Sequence, residues 1–384
     1  MSPLPAASLP RHTLPVAFVV CALLAGCASG ASAAAPNAKD QARLDSTVRY
    51  LQDGQNMDGG FGGERGAPSD PDFSAWVALA LVAAGINPMD QAQPGGVDAY
   101  TYLAEHAGEL RSTTDFERVL LVVNAAESTP HDFGGVDLVR QILERQLPDG
   151  SFTHEAAAKT AGMNDTIFAI LALSTVAEPL AGEAVQRAAG WLEGEQNPDG
   201  SWPGICPKTA VTTCAESGPE RGEVDMTAAA IEALNAAGRH YTEAQRKAFE
   251  YLHLAQDADG GFPEYPGESE ANAASTAWTV QAIWSAGENP ETWVAGMGAE
   301  PLGYLESMQQ EDGSVQWRES SDANPVWMTA YVAPAFAGQA LPPTPVPREV
   351  RTAPTKSSGA SATRHRRERP KRARAASPPS PAAA

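Results

Sequence analysis

The sequence predicts an all-α fold, six helix hairpins closed into a single (α/α)6 toroid. Three observations carry that expectation: a recurring heptapeptide, a set of apolar helices aligned on a Ser or Thr, and a spacing that divides the chain into equal units. The heptapeptide has the form Gln-x-x-Asp-Gly-Gly/Ser-aromatic. It reads Gln55–Phe61, Gln146–Phe152, Gln196–Trp202 and Gln256–Phe262, and a fifth copy, Gln309–Val315, has Val in place of the aromatic. The steps between its Asp residues are 91, 50, 60 and 53, so the long first step hides one degenerate unit. Self-similarity at a fixed period is the signature of a repeat architecture, in which each unit buries its flanks against its neighbours.

Each part of the unit has a local reason. Asp-Gly is a turn dipeptide, with a Gly able to take positive φ where the first helix stops. The second helices begin near Ser74, Thr166, Thr227 and Thr276, which read as N-caps, and three of them meet a Gly eleven residues on, at Gly85, Gly238 and Gly287. The missing copy falls on Asp115–Ala126, preceded by a helix near Tyr100 to His106, and a sixth runs from Pro325 to Gly338. Helices apolar on nearly every face are buried, so these second helices form an inner ring and the more polar first helices an outer one. Closure then removes the open ends.

The ends of the chain differ from its body. Arg11 precedes an apolar run, Val16 to Gly26, that stops on Cys27. At about 1.5 Å per residue that run is too short to span a bilayer, and it has the n- and h-regions of a secretory signal. Leu24-Ala25-Gly26-Cys27 resembles a lipobox, which makes residues 1–27 a signal peptide, Cys27 the lipid attachment site and 28–39 a linker to a body over 40–340. The alternative is cleavage near Ala31-Ser32-Ala33 and a free secreted chain. Cys206 and Cys214 are the remaining cysteine pair, and in an oxidising compartment they read as a loop-stapling disulfide. From 341 to 384 the chain is rich in Pro and Ala, with too few apolar residues to fold. Ten of the 27 Lys and Arg residues lie in this tail, which leaves 17 basic against 45 acidic residues elsewhere. An acidic body repels phosphate, so no nucleic acid partner is expected.

These motifs resemble the prenyltransferase and squalene-cyclase repeat, also called the QW repeat, over about residues 40–340. The resemblance implies a six-fold α/α toroid and several chemistries. Protein prenyltransferases hold zinc with Asp, Cys and His, but the inner-helix starts here carry no Cys, and His106, His131, His154, His240 and His253 show no ligand spacing. No metal or other cofactor is expected. Thioester chemistry is absent as well, since Glu193-Gly194-Glu195-Gln196 has no preceding Cys. Cyclases of the squalene-hopene type protonate an alkene with an Asp-x-Asp-Asp-Thr motif, and Glu223-Val224-Asp225-Met226-Thr227 is the segment most similar to it. By that resemblance Asp225 stands at the proton donor and Glu223 at the first acid, while Met226 replaces the third. The competing reading is that Asp225 only caps its helix, because Asp72, Asp115 and Asp165 occupy nearly the same place in other units.

If the ring closes, Asp72, Asp115, Asp165 and Asp225 form an acidic rim at one mouth, with Trp76, Phe168, Trp278 and Tyr331 as an aromatic collar beneath it. Val119 and Ala229 complete that level. Such a mouth suits an apolar or cationic ligand, plain core packing, or a sugar cleft of the α/α-barrel glycosidase kind. The first expectation is therefore an exported, lipid-anchored toroid that binds an apolar small molecule in its central cavity. Its alternative is a terpenoid cyclase or prenyltransferase relative, acting on isoprenoid substrates with Asp225 as general acid. A third reading, an interaction scaffold, rests on charge alone. The anchor has a direct test: Cys27→Ala should move the protein from the membrane fraction to the soluble one, and unchanged fractionation contradicts lipidation.

Overall fold

The computed structural model describes residues 38–204 and 221–349. Cys27, Cys206, Cys214 and the basic segment 364–374 lie outside the described residues. Among those described, twelve α-helices alternate between two layers. The inner layer consists of α2 (Pro71–Ala83), α4 (Thr113–Ala125), α6 (Met163–Leu173), α8 (Val224–Ala236), α10 (Ala273–Ser285) and α12 (Pro325–Phe336). The outer layer consists of α1 (Ala38–Asp53), α3 (Ala99–Glu105), α5 (Leu138–Leu143), α7 (Pro179–Gly194), α9 (Glu243–Ala255) and α11 (Pro301–Met308). Each inner helix packs on the next, α2 on α4, α4 on α6 and so on round to α12 on α2, so the ring is closed.

Burial follows composition as expected. Every residue from Ser74 to Val82 of α2 is buried, whereas α9 buries only Gln245, Ala248, Tyr251, Leu252 and Ala255, one face of its helix. The heptapeptides stitch these layers together. The backbone N–H of Phe61, Phe152, Trp202, Phe262 and Val315 donates to the hydroxyl of Ser74, Thr166, Thr227, Thr276 and Thr329, at 2.8, 2.9, 3.0, 2.9 and 2.9 Å. Each hydroxyl in turn donates to the carbonyl four residues earlier in its own helix. This corrects their reading as N-caps. They sit inside the first turn and clip the motif to the helix, while Asp70, Ser112 and Asn272 cap α2, α4 and α10.

The motif's Gln spans two units. The Gln146 side-chain amide donates to its own Gly150 carbonyl at 3.0 Å and to Ala184 of α7 at 2.9 Å. Gln55, Gln196 and Gln256 repeat that double contact. The last copy closes the ring, because Gln309 Nε2 donates to Arg43 O at 3.0 Å and Thr47 Oγ1 at 2.8 Å, both on α1. Lys39 and Arg43 also pair with Glu306 across the same seam. The segment before α4 carries no heptapeptide, and Ser112 caps that helix through a capping box instead.

One boundary differs from the sequence reading. The chain stays on the body beyond Leu341: Leu341 N donates to Glu232 Oε2 at 2.7 Å, Val346 N to Ala125 O at 2.8 Å, and Arg348 pairs with Asp90 at 2.7 Å. Pro and Ala richness fits a strap as well as a free tail, since neither residue needs its own core. Gly313 tests the seam. Its φ is 91°, and a Cβ there would lie 2.3 Å from Ser46 O of α1. Gly66 has a comparable φ of 80° with nothing within 4 Å. Gly313→Ala should destabilise the fold by about 2 kcal/mol or more and Gly66→Ala by about half that, measured by urea unfolding. Equal losses would mean that backbone strain alone decides, and that the seam is loose.

Candidate functional site

The inner helices run parallel, so their N-termini share one mouth. The four rim acids meet there but do not form one cluster. Asp72 and Asp115 are joined by a single cation, Arg118, at 2.7 and 3.1 Å. Burial disfavours the Asp115 charge, yet the Ser112 hydroxyl, the N–H groups of Arg111 and Ser112 and the Arg118 charge outweigh it, so its pKa lies below the ordinary value. Asp165 is buried, which pushes its pKa up, and the His154 ring opposes this from 3.0 Å. Its carboxylate folds back over Gly162, where a Cβ would lie 1.8 Å from Asp165 Oδ2. Only Asp115, through its capping box, acts as a cap, and Asp225 is not the N-cap of α8.

Asp225 stands in a different environment. The chain enters α8 by pairing Glu223 with Trp202, with Glu223 N donating to Trp202 O at 2.9 Å, and Val224 N donates to Glu264 O at 2.9 Å. Those contacts bring two further carboxylates, Glu223 and Glu264, beside Asp225. Its own Oδ1 accepts from Met226 N at 3.1 Å, and no described cation pairs with it. Burial first, and then the charges of Glu223 and Glu264, push its pKa up to about 7. Tyr265 donates its hydroxyl to Glu223 Oε1 at 2.9 Å and so holds that acid in place. Near neutral pH, Asp225 is thus half protonated and able to deliver a proton.

The aromatic collar forms at the expected level. Trp76 meets Phe168, Trp278 and Tyr331 edge-on at 5.8, 6.2 and 4.8 Å, and Trp278 meets Tyr331 at 5.5 Å. The rings fill the barrel, leaving a residual cavity of about 10 Å³ beneath them. At this level the four rings pack edge-on against one another. What remains accessible is the mouth above it. Phe73 and Trp327 extend the aromatic surface towards the rim at 5.7 and 5.9 Å contacts, and burial, with the Asp225 and Asp72 charges adding to it, raises the Tyr331 pKa.

Several members of this mouth escaped sequence reasoning: Arg118, His154, Glu264, Tyr265, Phe73 and Trp327. Arg118, Glu264 and Tyr265 depend on contacts across units, whereas His154 meets Asp165 within its own unit. Phe73 and Trp327, one residue before the aligned Ser74 and two before Thr329, were within reach of the repeat alignment. Glu117 is buried in α4 with both carboxylate oxygens lacking a hydrogen bond.

Known proteins share this fold. The prenyltransferase alpha-alpha toroid domain profile matches residues 12–96 and 226–337. The chain belongs to the prenyltransferase α/α toroid family. The squalene-hopene cyclase C-terminal domain profile matches residues 103–267, the stretch that holds Asp225. A drimenyl diphosphate synthase from Streptomyces showdoensis is 28% identical over 194 residues, which cover 50% of this chain and 34% of that enzyme. The chain therefore spans about a third of the length of that curated relative. Among solved structures, a protein from Actinoplanes aligns with a TM-score of 0.55 at 16% identity, over 78% of this chain and 99% of that one. The type II terpene cyclase MstE from Scytonema aligns at 0.52 with 14% identity, over 78% and 98%. An unsaturated glucuronyl hydrolase specific for heparin aligns at 0.53 with 11% identity, over 78% and 96%. These likenesses concern the fold, which evidently hosts unrelated chemistries.

The raised Asp225 pKa fixes the sign of a pH effect. An acid whose folded pKa exceeds its unfolded value binds more protons when native, so stability falls as pH rises from about 4 to about 7. The wild-type chain should lose roughly 2 kcal/mol more between pH 5 and pH 8 than Asp225→Asn does, in urea unfolding at each pH. Parallel pH slopes for the two proteins would show that Asp225 titrates as an ordinary carboxylate.

Proposed function

We propose that this chain is a terpene-cyclase-like enzyme that protonates a carbon–carbon double bond of an isoprenoid substrate, with Asp225 as the general acid. The observation that carries the reading is the carboxyl of Asp225, held half-protonated near neutral pH at the start of α8 by burial and by two neighbouring carboxylates. Alkene protonation needs a neutral carboxylic acid in a water-poor site, and an ordinary surface Asp is ionised at that pH. The segment Glu223–Thr227 and the squalene-hopene cyclase match over 103–267 support the same chemistry. The MstE cyclase was solved with geranylgeranyl dihydroxybenzoate as substrate, a molecule that carries an isoprenoid chain.

In the proposed step the Asp225 O–H proton passes to one alkene carbon, the π electrons forming the new C–H bond. The other carbon becomes a carbocation and Asp225 a carboxylate. The faces of Tyr331, Trp327 and Phe73 are the groups available to stabilise the cation through their quadrupoles. Loss of a proton from the cyclised cation, to the carboxylate or to water, restores the balance. Because the collar fills the barrel, the reaction belongs at the mouth above it. Glu223, oriented by Tyr265, is a positioning residue that keeps the Asp225 proton in place through its charge. Anchoring outside the cytoplasmic membrane through Cys27 remains part of the proposal and rests on the sequence alone.

The test is turnover. Incubation of the full chain with squalene and with geranylgeraniol, followed by gas chromatography–mass spectrometry, should give cyclised isomers of unchanged mass. Asp225→Asn should reduce the rate at least about a hundredfold while remaining folded, and the wild-type rate should decline as pH rises above about 7. Ligand binding without turnover in the wild type, at any pH from 5 to 8, would favour a non-catalytic binding toroid instead.

A further inference from the structure

The opposite end of the inner helices holds a cavity of about 650 Å³, within the range of small-molecule sites. Its walls are the C-terminal ends of α2, α8 and α10, through Val82, Ala236 and Trp284, and its cover is the strap from Gly338 to Val346. Its lining residues include no Lys or Arg. Glu232 is among them. It lies seven residues beyond Asp225 on α8, about 10 Å along the axis.

Glu232 is an unusual residue for that place. Its neighbours Ile231 and Ala233 are wholly buried, as it is. Oε2 accepts the Leu341 N–H at 2.7 Å, while Oε1 is buried without a hydrogen-bond partner. Leaving a buried polar atom unpaired is unfavourable, so its retention calls for a partner that is not protein. Burial pushes the Glu232 carboxyl up from its ordinary value, the Leu341 N–H opposing it. Nearby, Asn235 is occupied on both sides, donating to Ser285 Oγ at 2.8 Å and accepting from Gln245. His240 Nδ1 lies 3.1 Å from Asn235 Oδ1, and this contact turns Nδ1–H into the donor and leaves Nε2 as an acceptor.

We propose that this cavity is a second binding site, for an uncharged apolar molecule carrying a hydroxyl group. The hydroxyl group pairs with the unpartnered Glu232 Oε1 on one side and with the imidazole of His240 on the other, while the apolar body lies between Trp284 and the strap. An anion is disfavoured because the lining supplies an acid and no Lys or Arg. The site does not rest on the cyclase reading, since Asp225 stands at the other mouth with the filled collar between them.

Nile red, an uncharged dye, tests it with the full chain. The dye should bind the wild type with a blue-shifted emission, and 1-decanol should displace it at least about tenfold more effectively than decanoate at pH 8. Glu232→Leu should weaken decanol about tenfold, and Glu232→Gln, which keeps both a donor and an acceptor, should stay within about threefold of wild type. Ala83→Trp should fill the cavity and abolish dye binding. Thr344→Trp on the exposed strap gives the same test if the first variant fails to fold. Absence of dye binding to the folded wild type, equal displacement by decanoate, or undiminished binding in a folded cavity-filled variant would each overturn the site. A Glu232→Leu protein that is less stable but binds decanol normally would make Glu232 a strap anchor only.

Discussion

The structure depends on one repeated interaction, the heptapeptide that ties five of the six inner helices to their own turns and to the next unit. A backbone N–H meets a buried hydroxyl, and a glutamine amide bridges two carbonyls of different units. Each such bond is worth only about 1 kcal/mol, yet leaving one of these buried groups unpaired costs more than making the bond gains. That asymmetry fixes the register between units. Where the contact runs from Gln309 back to Arg43 and Thr47, the same device that stacks neighbours also closes the ring.

Closure makes the two ends of the barrel chemically unlike. All inner helices present N-termini at one mouth and C-termini at the other, and the aromatic collar separates them. At the first mouth, Asp72 and Asp115 share Arg118, Asp165 meets the His154 ring, and Asp225 is set apart among like charges. At the second, a lone carboxyl meets a mixed polar and apolar wall and a strap. Carboxyl groups thus meet three different surroundings, a shared cation, like charges and a buried helix end, and their pKa values shift accordingly.

Much of the fold was legible because it is local and repeated. Gln146–Phe152 or Gln256–Phe262 names its turn, and apolar runs such as Ala75–Leu79 name a buried helix. The role of Ser74 and Thr166 was misread because a clip and a cap use the same residue types four positions apart, and only the helix start decides between them. The site was legible at Asp225 and Glu223, where the resemblance points. Arg118, Tyr265 and Glu264 were not, since their importance arises from contacts between units far apart in the chain. Nor could Ala-rich helices reveal whether the barrel is open. That depends on how four large rings interlock.

Catalysis at this mouth requires that Asp225 hold its proton near neutral pH. The direct measurement is a titration of its side-chain carboxyl carbon by ¹³C NMR in aspartate-labelled protein, assigned with Asp225→Asn. A midpoint near pH 7 is expected. A midpoint in the ordinary aspartate range, near about 4, would contradict it and leave Asp225 a structural acid at the mouth of the toroid.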